Sequence, residues 1–130
     1  MNKNKFDETV LGILDECKQL LVTKGQDYSS DFDRLSHFKE AEKFTGLSQW
    51  DVWRVLFFKH IQSVRVYFIN DRQKLNEDIK HRIRDSINYL ILLEAMLVEE
   101  SEGDKQDAES PKQVGKAKVP YRITDHCGGH

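Results

Sequence analysis

The sequence predicts an all-α protein: a four-helix bundle-like domain over residues 1–99, oligomeric, followed by a poorly ordered polar tail over 100–130. Three observations lead there. Apolar residues recur with helical spacing in four segments that are divided by glycine or by short polar stretches. Residues 48–69, SQWDVWRVLFFKHIQSVRVYFI, are apolar on most sides, and such a helix needs several neighbours or a second chain to cover it. After Glu99 the composition turns acidic and then basic without apolar periodicity, which marks a segment disordered or loosely held.

The first helix is expected over 5–24, where Phe6, Val10, Ile13, Leu14, Cys17, Leu20 and Leu21 form one apolar stripe. Asp7 and Glu8 at its start and Lys24 at its end suit the helix dipole, and Gly25 reads as the stop. Residues 26–33, QDYSSDFD, then read as a polar loop. In that loop Asp27 and Tyr28 are placed to approach a ligand, with Tyr28 packing back on the core as the alternative. A second helix follows over 34–44 on the line Leu35, Phe38, Ala41 and Phe44, closed by Thr45 and Gly46. His37 and Glu40 stand three apart beside that line, a spacing that suits either a metal site or a surface ion pair.

Ser48 opens the third helix as N-cap, with Asp51 three residues on as the acidic member of a capping box. Val52, Val55, Leu56, Ser63, Val66 and Tyr67 share one face, and Lys59 lies at its centre. Trp53, Phe57, Val64 and Phe68 form a second apolar face, with His60 at its edge; Trp53, Phe57 and Phe68 are the expected contact to another subunit. After a charged connector at 70–76, the last helix is expected over 77–99 on the line Ile79, Ile83, Ile87, Leu90 and Leu97. Its opposite face begins polar, with Asp78, His81, Arg82, Asp85 and Asn88, and turns apolar at Tyr89, Leu92 and Met96. Asp85 and Asn88 therefore stand at the boundary between a wet half and a buried half.

The length of 130 residues fits one domain, and a net charge of -2 gives no footprint for nucleic acid, which is disfavoured as a partner. Cys17 and Cys127 make no disulfide framework, so a reducing, cytoplasmic setting is expected. No apolar signal core opens the chain and no run approaches the length of a membrane span, so no membrane partner is expected. In the tail, His126, Cys127 and His130 could take up a soft metal, but two glycines and a free end give them no fixed geometry. Docking of residues 119–123 onto the body or a partner chain is the stronger expectation for that segment.

Phosphate-binding glycine loops, nucleophile elbows, HExxH and CxxC motifs are all missing, so the chemistry must be read from buried polar residues. Lys59 in an apolar face is costly unless paired, and Asp85 on the next long helix is the natural counterion. Such a pair either fixes the register of the bundle or lines a pocket. In the pocket reading the lysine meets phosphate, and Asp85, with Asn88 or Glu40, holds magnesium.

The segments KGQDYSSDFDRLSHF, FTGLSQWDVWRVLFFKHIQSV and RIRDSINYLILLEAM together resemble the first nucleotide-modification-associated domain family, small proteins common in phage genomes. These look like divergent relatives of the all-α nucleoside triphosphate pyrophosphatases, the MazG and dimeric dUTPase kin. The resemblance implies an oligomeric all-α bundle with its polar residues gathered at a nucleotide phosphate and Mg2+ site. Carried onto this chain, it implies Asp85, Lys59 and Asp27 as catalytic, and Lys24, Tyr28, His60, Asn88 and Tyr89 as nucleotide-binding. Asp85 and Asn88, together with Glu40 and His37 from the spacing on the second helix, are the expected metal ligands. Departures exist: Arg82 stands three before Asp85, where the wider superfamily carries an acidic residue, and His37 stands where an asparagine is expected. The function expected is a phage-type nucleotide-binding protein, in one version a Mg-dependent pyrophosphohydrolase and in the other a non-catalytic protein sequestering a nucleotide or nucleotide signal in the host cytoplasm.

Overall fold

A computed structural model describes residues 1–30, 32–72 and 78–109. These form four α-helices and, among the described residues, no strand. Most of the charged connector and the tail, with 119–123 and the His126, Cys127 and His130 cluster, lie outside the described residues. No described helix is long and apolar enough to cross a membrane.

Helix α1 runs Lys3–Tyr28 and is capped by Asn2, whose side chain accepts from the Lys5 N–H at 2.9 Å. It overruns the expected stop by one turn. Gly25 lies inside the helix, and its bare backbone leaves room for the flexible guanidinium end of Arg34. That guanidinium reaches across to donate to the Val22 carbonyl at 3.1 Å. The helix ends instead at Ser29, whose N–H and hydroxyl both return to the Gly25 carbonyl, at 3.0 and 2.6 Å. Asp27 and Tyr28 are therefore in the last turn of a helix and not in a loop.

Helix α2, Ser36–Thr45, follows a turn in which the Asp33 carboxylate accepts from the Leu35 N–H at 3.0 Å. Gly46 closes it in the left-handed conformation, φ 74°, returning its N–H to Glu42 at 2.9 Å. Helix α3, Gln49–Ile69, starts as the sequence predicts: the Ser48 hydroxyl accepts from the Asp51 N–H and donates to the Asp51 carboxylate, both at 3.1 Å. Helix α4, Ile79–Glu109, continues well past Glu99. In its last turns Glu100, Glu102, Lys105 and Gln106 favour helix while Gly103, Asp104 and Asp107 do not, and no apolar stripe announces the continuation.

α4 is the common support, packing against α3 and α1, while α2 packs on α3. The core is Phe38, Val52, Trp53 and Met96, with Leu56, Phe57, Tyr89, Leu92 and Leu93 partly buried around it. Here the face assignments of two helices change. On α3 the interior takes Val52, Trp53, Leu56 and Phe57, so Lys59 moves from the expected centre of a buried face to an exposed edge. The largest side chains decide this: the Trp53 indole stacks on Phe57 at 4.8 Å and donates its N–H to the Tyr89 carbonyl at 2.7 Å. On α4 the inward side is Asn88, Tyr89, Leu92 and Met96, whereas the expected apolar line of Ile83, Leu90 and Leu97 faces outward.

Ion pairs close the ends of the packing. Lys39 on α2 reaches both Asp33 and Glu99 at 2.7 Å, and Arg84 on α4 meets Glu16 on α1 at 2.6 Å. Two phenylalanines of α2 test the core assignment. Phe38 is fully buried, while Phe44, expected on the same apolar line, is 92% exposed. Phe38→Ala should cost about 3–5 kcal/mol in denaturant unfolding, and Phe44→Ala should stay within about 0.5 kcal/mol of the parent.

Candidate functional site

Between α1 and α3, floored by α4, lies a cleft of about 610 Å³, within the range of small-molecule sites. α1 supplies Leu20, Leu21, Lys24 and Tyr28; α3 supplies Leu56, Lys59 and His60; α4 supplies Asp85, Asn88, Tyr89 and Leu92. Arg34 and His37 close one side. Most of the wall is apolar or aromatic, and the charges are chiefly cationic.

Asp85 organises the polar end. Its Oδ1 accepts from Lys24 Nζ at 2.8 Å, and its Oδ2 lies 3.7 Å from His60 Nδ1. The second distance is too long for a hydrogen bond. Desolvation holds the His60 imidazole below its ordinary pKa; Asp85 opposes this, and Lys59, Lys24 and Arg82 reinforce it. His60 is thus a neutral ring beside a carboxylate and not half of a salt bridge. It also packs against Tyr89, ring centroids 4.7 Å apart, and burial, followed by Asp85 and Tyr28, pushes the Tyr89 phenol up.

Asn88 is 6% exposed, and its Oδ1 is buried without a hydrogen-bond partner. An unsatisfied buried amide costs about 1–3 kcal/mol, so a native chain that keeps one in a cleft wall invites a functional explanation. His60 Nδ1 is likewise buried and without a hydrogen bond.

Of the residues singled out in the sequence, Lys24, Tyr28, Lys59, His60, Asp85, Asn88, Tyr89 and His37 meet at this cleft. The pairing differs from expectation, since Asp85 turns to Lys24 and His60, and Lys59 stands exposed at the rim. Asp27 is exposed in the last turn of α1 and is not among the residues lining the cleft. Glu40 is also outside it, exposed and paired with Lys43 at 3.8 Å, so His37 and Glu40 do not act together. Trp50 packs against the core and Trp53 is part of it, leaving Tyr28 and Tyr89 as the aromatic walls. Arg34 was missed, because its place depends on Gly25 leaving room across α1, a contact with no local spacing to betray it.

The four expected metal ligands are spread over the structure, with Asp85, Asn88 and His37 at the cleft and Glu40 outside it. Among the described residues, Asp85 is the one carboxylate lining the cleft, and no group of three or more His, Cys, Asp or Glu side chains is placed to hold a metal ion.

The histidines give the fold a pH signature. His37, half buried, is also held below its ordinary pKa by desolvation. Both rings take up protons more readily unfolded, near pH 6.5, than folded. Their contribution is therefore complete above that pH and is lost as pH falls toward the folded values. Thermal melts should show stability dropping from pH 7 to pH 5, with a shallower drop in His37→Gln and His60→Gln. Comparison of the chain with protein-family models, with curated proteins and with solved structures gives no match.

Proposed function

We propose that the cleft binds a nucleotide or a nucleotide-derived phosphate ester and holds it without hydrolysing it. One observation carries the reading: an apolar, tyrosine-walled cleft has Lys24, Arg34 and Lys59 at its edges and a single, already paired carboxylate within. A ligand that fits must be flat and apolar in one part and anionic in another, and a base joined to phosphate is such a molecule. The resemblance to phage proteins of nucleotide metabolism supports the same class. Withholding a nucleotide signal in a host cytoplasm would serve as counter-defence.

The magnesium-dependent pyrophosphohydrolase version is the weaker reading. It needs several carboxylates around the metal, and Asp85 is engaged by Lys24. Melting the protein with nucleoside mono- and triphosphates in EDTA tests the proposal. A ligand at a hundred times its Kd should add about 2.7 kcal/mol and be recovered intact. Lys59→Glu, at an exposed position, should weaken binding about tenfold or more, as expected when a phosphate contact becomes repulsive. Pyrophosphate release on adding Mg2+ would restore the enzyme, and absence of any shift across the panel would end the nucleotide reading.

We also infer that the chain works as a homo-oligomer, through a face other than the one the sequence predicted. Trp53 and Phe57 are used within the chain, leaving Phe68 exposed. The outward stripe of α4, Ile83, Leu90 and Leu97, spans roughly 21 Å, and Leu90 is 51% exposed at its middle. Exposed apolar surface of that length marks an interaction site, and two copies of the stripe can cover each other across a twofold axis. Sedimentation of the full chain should give a dimer or larger species, and Leu90→Glu should give a helical monomer; a parent chain that sediments as a monomer at micromolar concentration refutes this.

A further inference from the structure

α4 carries its charges the wrong way round. The positive end of a helix dipole favours carboxylates and the negative end favours cations. Asp78 caps the start of α4, accepting from the Lys80 N–H at 3.0 Å, but the first turn itself holds Lys80, His81 and Arg82 and no acid. The other end, EESEGDKQDAE over 99–109, has six carboxylates and one lysine, and its last turn has no cation. Every side chain from Glu100 to Asp107 is exposed. Lys80 is exposed as well, and neither it nor Glu102 takes part in an ion pair among the described residues.

The apolar stripe between these two ends is symmetric in sequence. Ile83 stands seven residues before Leu90, and Leu97 stands seven after. Lys80 and Glu102 border one edge of the stripe, ten residues before Leu90 and twelve after, and lie about 40° apart around the helix. Two such helices side by side and parallel would set lysine against lysine and acid against acid. An antiparallel pair sets each basic start beside an acidic end, and opposite dipole ends together.

We propose that the stripe is covered by a second copy lying antiparallel, with Leu90 at the twofold axis, Ile83 on the partner's Leu97 and Lys80 paired with the partner's Glu102. The charge order that is unfavourable within one chain becomes complementary across two. Asn88 and Leu92, at the floor of the cleft, lie about 160° around α4 from Leu90, so both clefts stay open on the sides away from the axis.

This inference rests on the homo-oligomer reading, and the tests separate the two. Dimer affinity of the full chain is measured by sedimentation. Lys80→Glu and Glu102→Lys should each weaken it about tenfold, because each reversal makes two attractive contacts repulsive. The double variant should return to within about threefold of the parent, as coupled partners do. Both positions are exposed, and circular dichroism checks that the helix content is kept. Independently, Ile83→Cys mixed with Leu97→Cys should form on oxidation a disulfide that mass spectrometry maps to positions 83 and 97. Ile83→Cys alone should form none at 83, since the two copies of that position lie about 21 Å apart across the pair. Single reversals without effect, a double variant no better than the singles, or a disulfide joining 83 to 83 in place of 83 to 97 overturns the antiparallel pairing and leaves the dimer standing. A parent chain that sediments as a monomer removes both.

Discussion

The carboxylate of Asp85 is the constraint around which the rest is arranged. One oxygen holds Lys24 from α1 and the other faces His60 from α3, so a single side chain of α4 draws the two helices that flank the cleft toward the same point. Its side chain is only 14% exposed, which makes its partners obligatory: a charge taken that far out of water must be compensated nearby. Removing Lys24 would leave a poorly solvated charge at Asp85, the half-exposed lysine being its one hydrogen-bonded cation.

The cleft exists because packing is shared unequally. α4 serves both α1 and α3, and α2 rests on α3, so the space between α1 and α3 is bridged mainly by side chains and not by helix-to-helix packing. Bulky residues fill the far end, where Trp53, Phe57 and Met96 make the core. Toward the other end the residues shorten or become polar, and the gap opens at Asp85 and Asn88. The boundary between a wet and a buried half, visible along α4 in the sequence, is the boundary between the cleft and the core.

Much of this was legible in the chain. The helical pattern, the Ser48 cap, the Gly46 stop and the gathering of Lys24, Tyr28, His60, Asp85 and Asn88 all follow from spacing, from cap chemistry and from the family resemblance. What was not legible was rotation. A wheel ranks faces by apolarity, and α3 and α4 each carry two apolar faces; which of them turns inward depends on the shapes of the partners, such as the Trp53 indole finding the Tyr89 carbonyl. Lys59 was given a buried place for that reason, and Ile83, Leu90 and Leu97 were assigned to a core that they do not enter. Gly25 misled differently. Glycine at the end of an apolar stripe reads as a stop, whereas here it sits inside the helix beside the Arg34 guanidinium, a neighbour that no local rule connects to it.

The dependence of α1 on α4 has a mechanical side. Its attachments are the Cys17 packing, the Glu16 to Arg84 bridge and the Lys24 to Asp85 bridge, all along the half nearest the cleft, while its first turns carry exposed side chains. α1 is thus a lever clamped toward one end. A molecule that touches Lys24 and Lys59 together adds a strut between helices that packing leaves apart, so filling the cleft and stiffening the lever are one event. Slowed exchange of the amide hydrogens of α1 would then be a direct record of occupancy.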